Sequence, residues 1–154
     1  NQEHWDWAIH PNDRERASFL KENLLPMQES GQLNFLDRTE NRHFYKTLGF
    51  EVLFVDGHTD KQMIPIIDYQ GKKLVFAADL LPTAGHVPLP YVMGFDTRPL
   101  KTLDEKKLFL EEAVKNNYYL FLEHDAHNEI INLKDTEKGA RLDSRFTFNE
   151  LFTN

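Results

Sequence analysis

The stretch "FVDGHTDKQMIPIIDYQGKKLVFAADLLP", residues 54–82, decides how the rest of the chain is read. Its two apolar runs, "QMIPIIDY" and "KKLVFAAD", have strand composition and are joined by "QG", where glycine supplies a positive φ, so they predict a β-hairpin. Pro65 places the first run near a sheet edge, because proline donates nothing to a ladder. His58 stands after Gly57 just before the hairpin, and Asp79 ends it.

Outward from the hairpin, "FEVLFVD" and "QLNFLD" read as strands, with residues 38–49 as a connection between them. "DRERASFLKENLLPMQESG" carries an apolar stripe at Ala17, Leu20, Leu24 and Met27, with Asn12 placed to cap and Gly31 to stop. That predicts a helix, which Pro26 kinks or ends. Residues 80–101 hold four prolines and two glycines and follow no period, which makes them a long loop; it carries His86 and Tyr91. "TLDEKKLFLEEAVKNN" opens with Thr102 and Glu105 at capping-box spacing and predicts a second helix. "YYLFLEH" and "NEIINLKD" read as strands, and Thr147 with Glu150 marks a short last helix. The fold class is mixed α/β in layers. "VLFV", "LVFAA" and "YLFL" are continuous apolar runs, the pattern of strands covered on both faces, yet two substantial helices cover only one. The other face needs a further cover.

With 154 residues and 40% hydrophobic composition the chain reads as one soluble globular unit with a core of ordinary size. A net charge of −7 without a run of basic residues argues against nucleic acid as a partner. No apolar run has the length of a membrane span. The absence of cysteine removes disulfides, thiolate ligands and a cysteine nucleophile, so histidine and carboxylate are left as metal ligands. The start "NQEHWDWAIHPND" has neither an initiator methionine nor signal-peptide character and reads as mid-protein. Acidity and the lack of cysteine take the compartment no further than a cytoplasmic guess.

His58 follows a strand, Asp79 ends one and His124 ends another, so all three project from strand carboxyl ends, where sites on α/β sheets form. Two neutral imidazoles and a carboxylate make a ligand set for zinc or a similar ion. The plainer alternative is a hydrogen-bonded turn histidine, a loop-capping aspartate and a solvated "EHD" corner. His4 with Trp5 and Trp7 reads as packing or as an aromatic ligand wall. No nucleophile elbow, phosphate-binding loop or dinucleotide fingerprint occurs.

The strings "DGHTDKQMIP", "LVFAADLLPT" and "YLFLEHD" together resemble the carboxyl-terminal half of metallo-β-lactamase-fold hydrolases, in their lactonase-like branch. The resemblance runs from "HWDWAIHPND", at His4, to about residue 140. It implies that residues 1–154 form part of a four-layer αββα sandwich with two divalent metal ions, usually zinc, at its edge. A metal-bridging hydroxide then attacks a lactone or ester-type bond of a small-molecule substrate. By position, the resemblance gives His58 to the first metal, Asp79 to both and His124 to the second. The metals lower the pKa of the shared water, and because histidines bind only when neutral, activity should fall in acid. His86 and Tyr91 line the substrate pocket in this reading and donate hydrogen bonds to a developing oxyanion, or else simply pin the loop. Met93 and Phe95 offer an apolar wall.

The family's H-x-H-x-D-H motif, source of the other four ligands, is absent from this sequence. The chain is therefore expected to be a truncation, a proteolytic product or the ordered part of a longer polypeptide, inactive alone, with its amino-terminal half as the missing partner. Its open sheet would then drive dimerisation or swapping, giving a homo-oligomer. The alternative function is a non-catalytic binding module of the same architecture that lost its metal site.

Overall fold

A computed structural model describes residues 1–153. The elements are α1 (Gln2–Ile9), α2 (Lys21–Glu29), β1 (Arg42–Tyr45), β2 (Phe50–Val55), β3 (Gln62–Tyr69), β4 (Lys72–Phe76), α3 (Pro99–Lys115), β5 (Tyr119–Phe121), β6 (Ile130–Lys134), β7 (Arg141–Phe146) and α4 (Phe148–Phe152). All strands belong to one seven-stranded sheet in the order β1-β2-β3-β4-β5-β6-β7. Every neighbouring pair is antiparallel except β4 and β5, which are parallel and joined through α3.

The hairpin forms as the sequence predicts, with Gln70 and Gly71 both at positive φ (48° and 75°), the backbone of a tight two-residue turn. Pro65 is not at a sheet edge. It lies opposite Val52 of β2, and the ladder to β4 begins one residue later, at Ile66 opposite Val75, so an interior strand accommodates the proline where one of its two ladders has stopped. "QLNFLD" is not a strand; Arg42–Tyr45, inside the expected connection, is. The helix expected from Asn12 begins only at Lys21, because Asn12 caps a separate turn, its Oδ1 accepting from the Arg14 and Glu15 N–H groups.

Strand periodicity puts Ile64, Ile66, Val75, Leu120, Ile131 and Leu133 against Phe109, Leu110 and Ala113 of α3, forming the main core. Burial at this scale stabilises by about 2 kcal/mol for each large apolar side chain. On the opposite face, Leu36, Phe50 and Met63 pack on Tyr45, Val52 and Phe54, while Trp5 of α1 is buried beside Phe35. Phe148 and Phe152 of α4 pack on Tyr69. Between them Leu74, Phe76, Tyr119 and Phe121 are only half-buried, with the Phe76 and Phe121 rings 6.1 Å apart. The apolar pattern of the central strands is thus satisfied fully on one face and in part on the other.

Helix α3 starts at Pro99, where proline's fixed φ suits a first turn, and not at the expected capping box. Thr102 is buried inside the helix, and the Glu105 carboxylate accepts from the Asp56 and Gly57 N–H groups, 2.9 Å each, so it ties α3 to the end of β2. At the other end of α3, Arg42 of β1 donates two hydrogen bonds of 2.5 Å to Glu112, and the Tyr118 hydroxyl donates a third at 2.7 Å. The Arg42 hydrogen bonds, opposed by burial and aided by Tyr118, hold Glu112 below the ordinary glutamate pKa. A depressed carboxylate contributes stability above its unfolded pKa and loses it as pH falls through the folded value. Glu112→Gln is expected to lower unfolding stability by about 2 kcal/mol at neutral pH. In denaturant titrations the gap to wild type should close below the ordinary glutamate range, and a gap independent of pH would refute the assignment.

Candidate metal centre

Strands β2, β4 and β5 point the same way, because β2 and β4 flank the antiparallel β3 and β5 runs parallel to β4. Their carboxyl ends therefore meet on one edge. His58 follows β2, Asp79 follows β4 and His124 follows β5, so three residues far apart in sequence become neighbours. His58 Nε2 lies 3.4 Å from Asp79 Oδ2, and His124 Nε2 lies 3.2 Å from Asp79 Oδ1. Each imidazole thus addresses a different oxygen of one carboxylate.

Local backbone explains the aim of each side chain. Gly57 has no room for a Cβ, which would collide with the backbone and hydroxyl of Thr102 in α3, so only glycine lets β2 pass this close before His58. Ala78 adopts φ 43°, a left-handed conformation that costs an alanine about 1 kcal/mol, and it turns the chain immediately before Asp79. The loop after β5 is stitched to the loop after β4: the His124 N–H donates to the Pro82 carbonyl at 3.2 Å, and the Ala84 N–H donates to Asp125 at 2.9 Å.

Asp79 Oδ1 is buried without a hydrogen-bond partner, even though His124 Nε2 stands nearby, because the contact is not aligned for one. An orphaned carboxylate oxygen facing a histidine nitrogen has the chemistry of a cation's donor set, and the residues fit a divalent metal. Glu123 extends the set, since one donor atom from each of Asp79, Glu123 and His124 lies within 4.8 Å of the others.

His58, Asp79 and His124 open on a cavity of about 610 Å³, walled also by His4, Arg14, Phe19, Met93 and Phe95. Met93 and Phe95 stand where the apolar wall was expected, and Phe95 is 76% exposed. His86 and Tyr91 are not part of this wall. The His86 ring pairs with the Thr83 hydroxyl at 2.8 Å, the Tyr91 side chain is exposed, and the backbone carbonyls of both accept from Lys106. These contacts pin the loop to α3 through Lys106. His4 contributes to the cavity, its Nδ1 2.5 Å from the Asp60 carbonyl, while Trp5 is buried against Phe35. His127 is exposed and outside the cluster.

Sequence reading missed two buried acids. Glu15 is 7% exposed and accepts from Trp7 Nε1, Asn12 Nδ2 and the Thr59 hydroxyl, which fixes the amino-terminal segment to the His58 loop. Asp96 Oδ1 lies 2.9 Å from His58 Nδ1. Burial presses the His58 pKa down, but the Asp96 hydrogen bond and the charges of Asp79 and Asp96 outweigh it and leave His58 above the ordinary histidine value. "GFDTRP" announces a loop turn, and nothing in the spacing signals that its aspartate reaches His58.

No protein-family model matches the chain, and no curated protein sequence matches it. Solved structures do. A probable metal-dependent hydrolase from Staphylococcus aureus superposes with a TM-score of 0.76 at 22% identity, over 96% of this chain and 52% of its own. A hydrolase of the beta-lactamase superfamily gives 0.70 at 16% identity, over 91% of this chain and 50% of its own. A dizinc quorum-quenching lactonase, in complex with the product N-hexanoyl-L-homoserine, gives 0.67 at 18% identity, over 94% and 53%. The chain spans about half the length of the solved structures it matches. Over that length its seven-stranded sheet and flanking helices have the metallo-β-lactamase fold, as one part of the sandwich.

Proposed function

We propose that this chain is the carboxyl-terminal half of a metal-dependent hydrolase that opens a lactone or ester-type bond. The observation that carries the reading is the pairing of His58 and His124 with the two separate oxygens of Asp79. A carboxylate shared in this way suits two cations, one beside each histidine. Zinc, when bound, would lower the pKa of a water toward neutrality and polarise the substrate oxygen. The chain's own residues would supply His58 to one ion, His124 with Glu123 to the other, and Asp79 to both.

These donors would give the ion beside His124 three protein ligands but leave the ion beside His58 with two, short of the three that a catalytic zinc normally has. The H-x-H-x-D-H motif is absent here, so the remaining ligands would come from an amino-terminal half. The same half would lay a second sheet over Leu74, Phe76, Tyr119 and Phe121, the half-buried strip of the sheet. Met93 and Phe95 would hold the apolar part of the substrate beside the metals, while Arg14, whose guanidinium donates to the Gly94 and Asp96 carbonyls, would keep that loop in place.

Metal analysis of the full-length protein tests the reading. About two equivalents of zinc per polypeptide and hydrolysis of a lactone or ester probe are expected. A metal-free protein that binds no added zinc would replace this reading with the non-catalytic module.

A further inference from the structure

We propose that Asp96 is a positioning residue for His58, holding the ring by Nδ1 so that Nε2 is presented to the metal beside Asp79. The inference rests on the reading of His58 as a ligand and adds the group that orients it.

The Asp96 side chain is 0% exposed, and its Oδ1 lies 2.9 Å from His58 Nδ1. With the Asp96 oxygen as acceptor the hydrogen sits on Nδ1, and in the neutral ring Nε2 keeps its lone pair. Nε2 is the atom that faces Asp79, at 3.4 Å. Of the two tautomers, the one Asp96 selects is thus the one able to bind a cation on the Asp79 side.

The segment carrying Asp96 is held in register with the His58 loop. The Thr97 N–H and hydroxyl each donate to the His58 carbonyl at 3.0 Å, and the Arg98 N–H donates to the Gly57 carbonyl at 2.8 Å. Backbone pairing and the Thr97 hydroxyl thus hold the two loops together without the carboxylate. It is moreover a costly group to bury, because Asp96 Oδ2 has no hydrogen-bond partner. A buried acid with one side-chain partner, that partner being a ligand's second nitrogen, fits an orienting role in which metal affinity gains what local stability loses.

The test uses the full-length protein with zinc and histidine-selective nitrogen NMR. Wild-type His58 is expected to show Nδ1–H with Nε2 bound to metal, and Asp96→Ala to weaken zinc binding about 10- to 100-fold by chelator competition while mixing the tautomers. Asp96→Asn, which keeps an acceptor, should recover most of both. Unaltered zinc affinity in Asp96→Ala, or zinc on Nδ1 in wild type, would overturn the proposal; the wild-type spectrum decides it even if the variants fail to fold. His58→Ala separates the two levels of inference. If it leaves zinc affinity unchanged, the ligand reading falls and this proposal with it, whereas a loss in His58→Ala without a loss in Asp96→Ala sinks the positioning role alone.

Discussion

Under the proposed two-metal reading, Asp79→Ala in the full-length protein is expected to lower hydrolytic turnover by about a thousandfold or more and to remove tight binding of zinc at both positions. Both oxygens of this one side chain face histidine nitrogens, so under that reading the substitution would take a donor from each ion at once. The metal-free fold should tolerate the change. Asp79 Oδ1 is already buried without a partner, and losing an unsatisfied carboxylate costs little. Unfolding followed with and without zinc would separate these effects. Excess zinc at about a thousand times its Kd should stabilise wild type by about 4 kcal/mol and the variant by almost nothing. A variant that zinc stabilises as much as wild type would refute the bridging role.

Lys106→Met should lower stability by about 3 kcal/mol. Lys106 is fully buried, and its ammonium donates to the carbonyls of His86, at 3.0 Å, and Pro88, at 3.4 Å, and to that of Tyr91. Burial, partly offset by the Asp96 charge, brings its pKa down to about 8. Methionine fills similar space but leaves three loop carbonyls without their donor, at about 1 kcal/mol or more each. A loss of about 3 kcal/mol corresponds to roughly 10 °C in Tm for a chain of this size. Because the same loop carries Asp96, its amides should also exchange faster and zinc affinity should fall. A Tm within about 2 °C of wild type would show that the carbonyls find other partners.

How far the sequence could be read depended on whether the deciding contact was local. The β3–β4 hairpin and the Thr147–Glu150 capping box rest on neighbouring residues, and both form as expected. Thr102 and Glu105 have the same spacing, yet Glu105 is drawn across to Asp56 and Gly57, a contact that spacing cannot disclose. Strand β7, "RLDSRF", alternates apolar with charged residues as an edge strand does, and its charges hid it. Helix α1 escaped because its Asn1 cap stands at the first residue, leaving no flanking pattern to read.

By itself the sequence determined the mixed α/β class, the absence of thiolate chemistry and the placing of His58, Asp79 and His124 at strand ends, because composition and period are properties of a chain before it folds. Only the tertiary structure decided that the three meet. That required β2, β4 and β5 to run in one direction within one sheet, an outcome of the antiparallel β3 and of the crossover through α3. The tertiary structure also brought the buried carboxylate of Asp96 to His58, across segments about forty residues apart that pair through their backbones. Coordination and orientation depend on distances between remote residues, and packing alone fixes those.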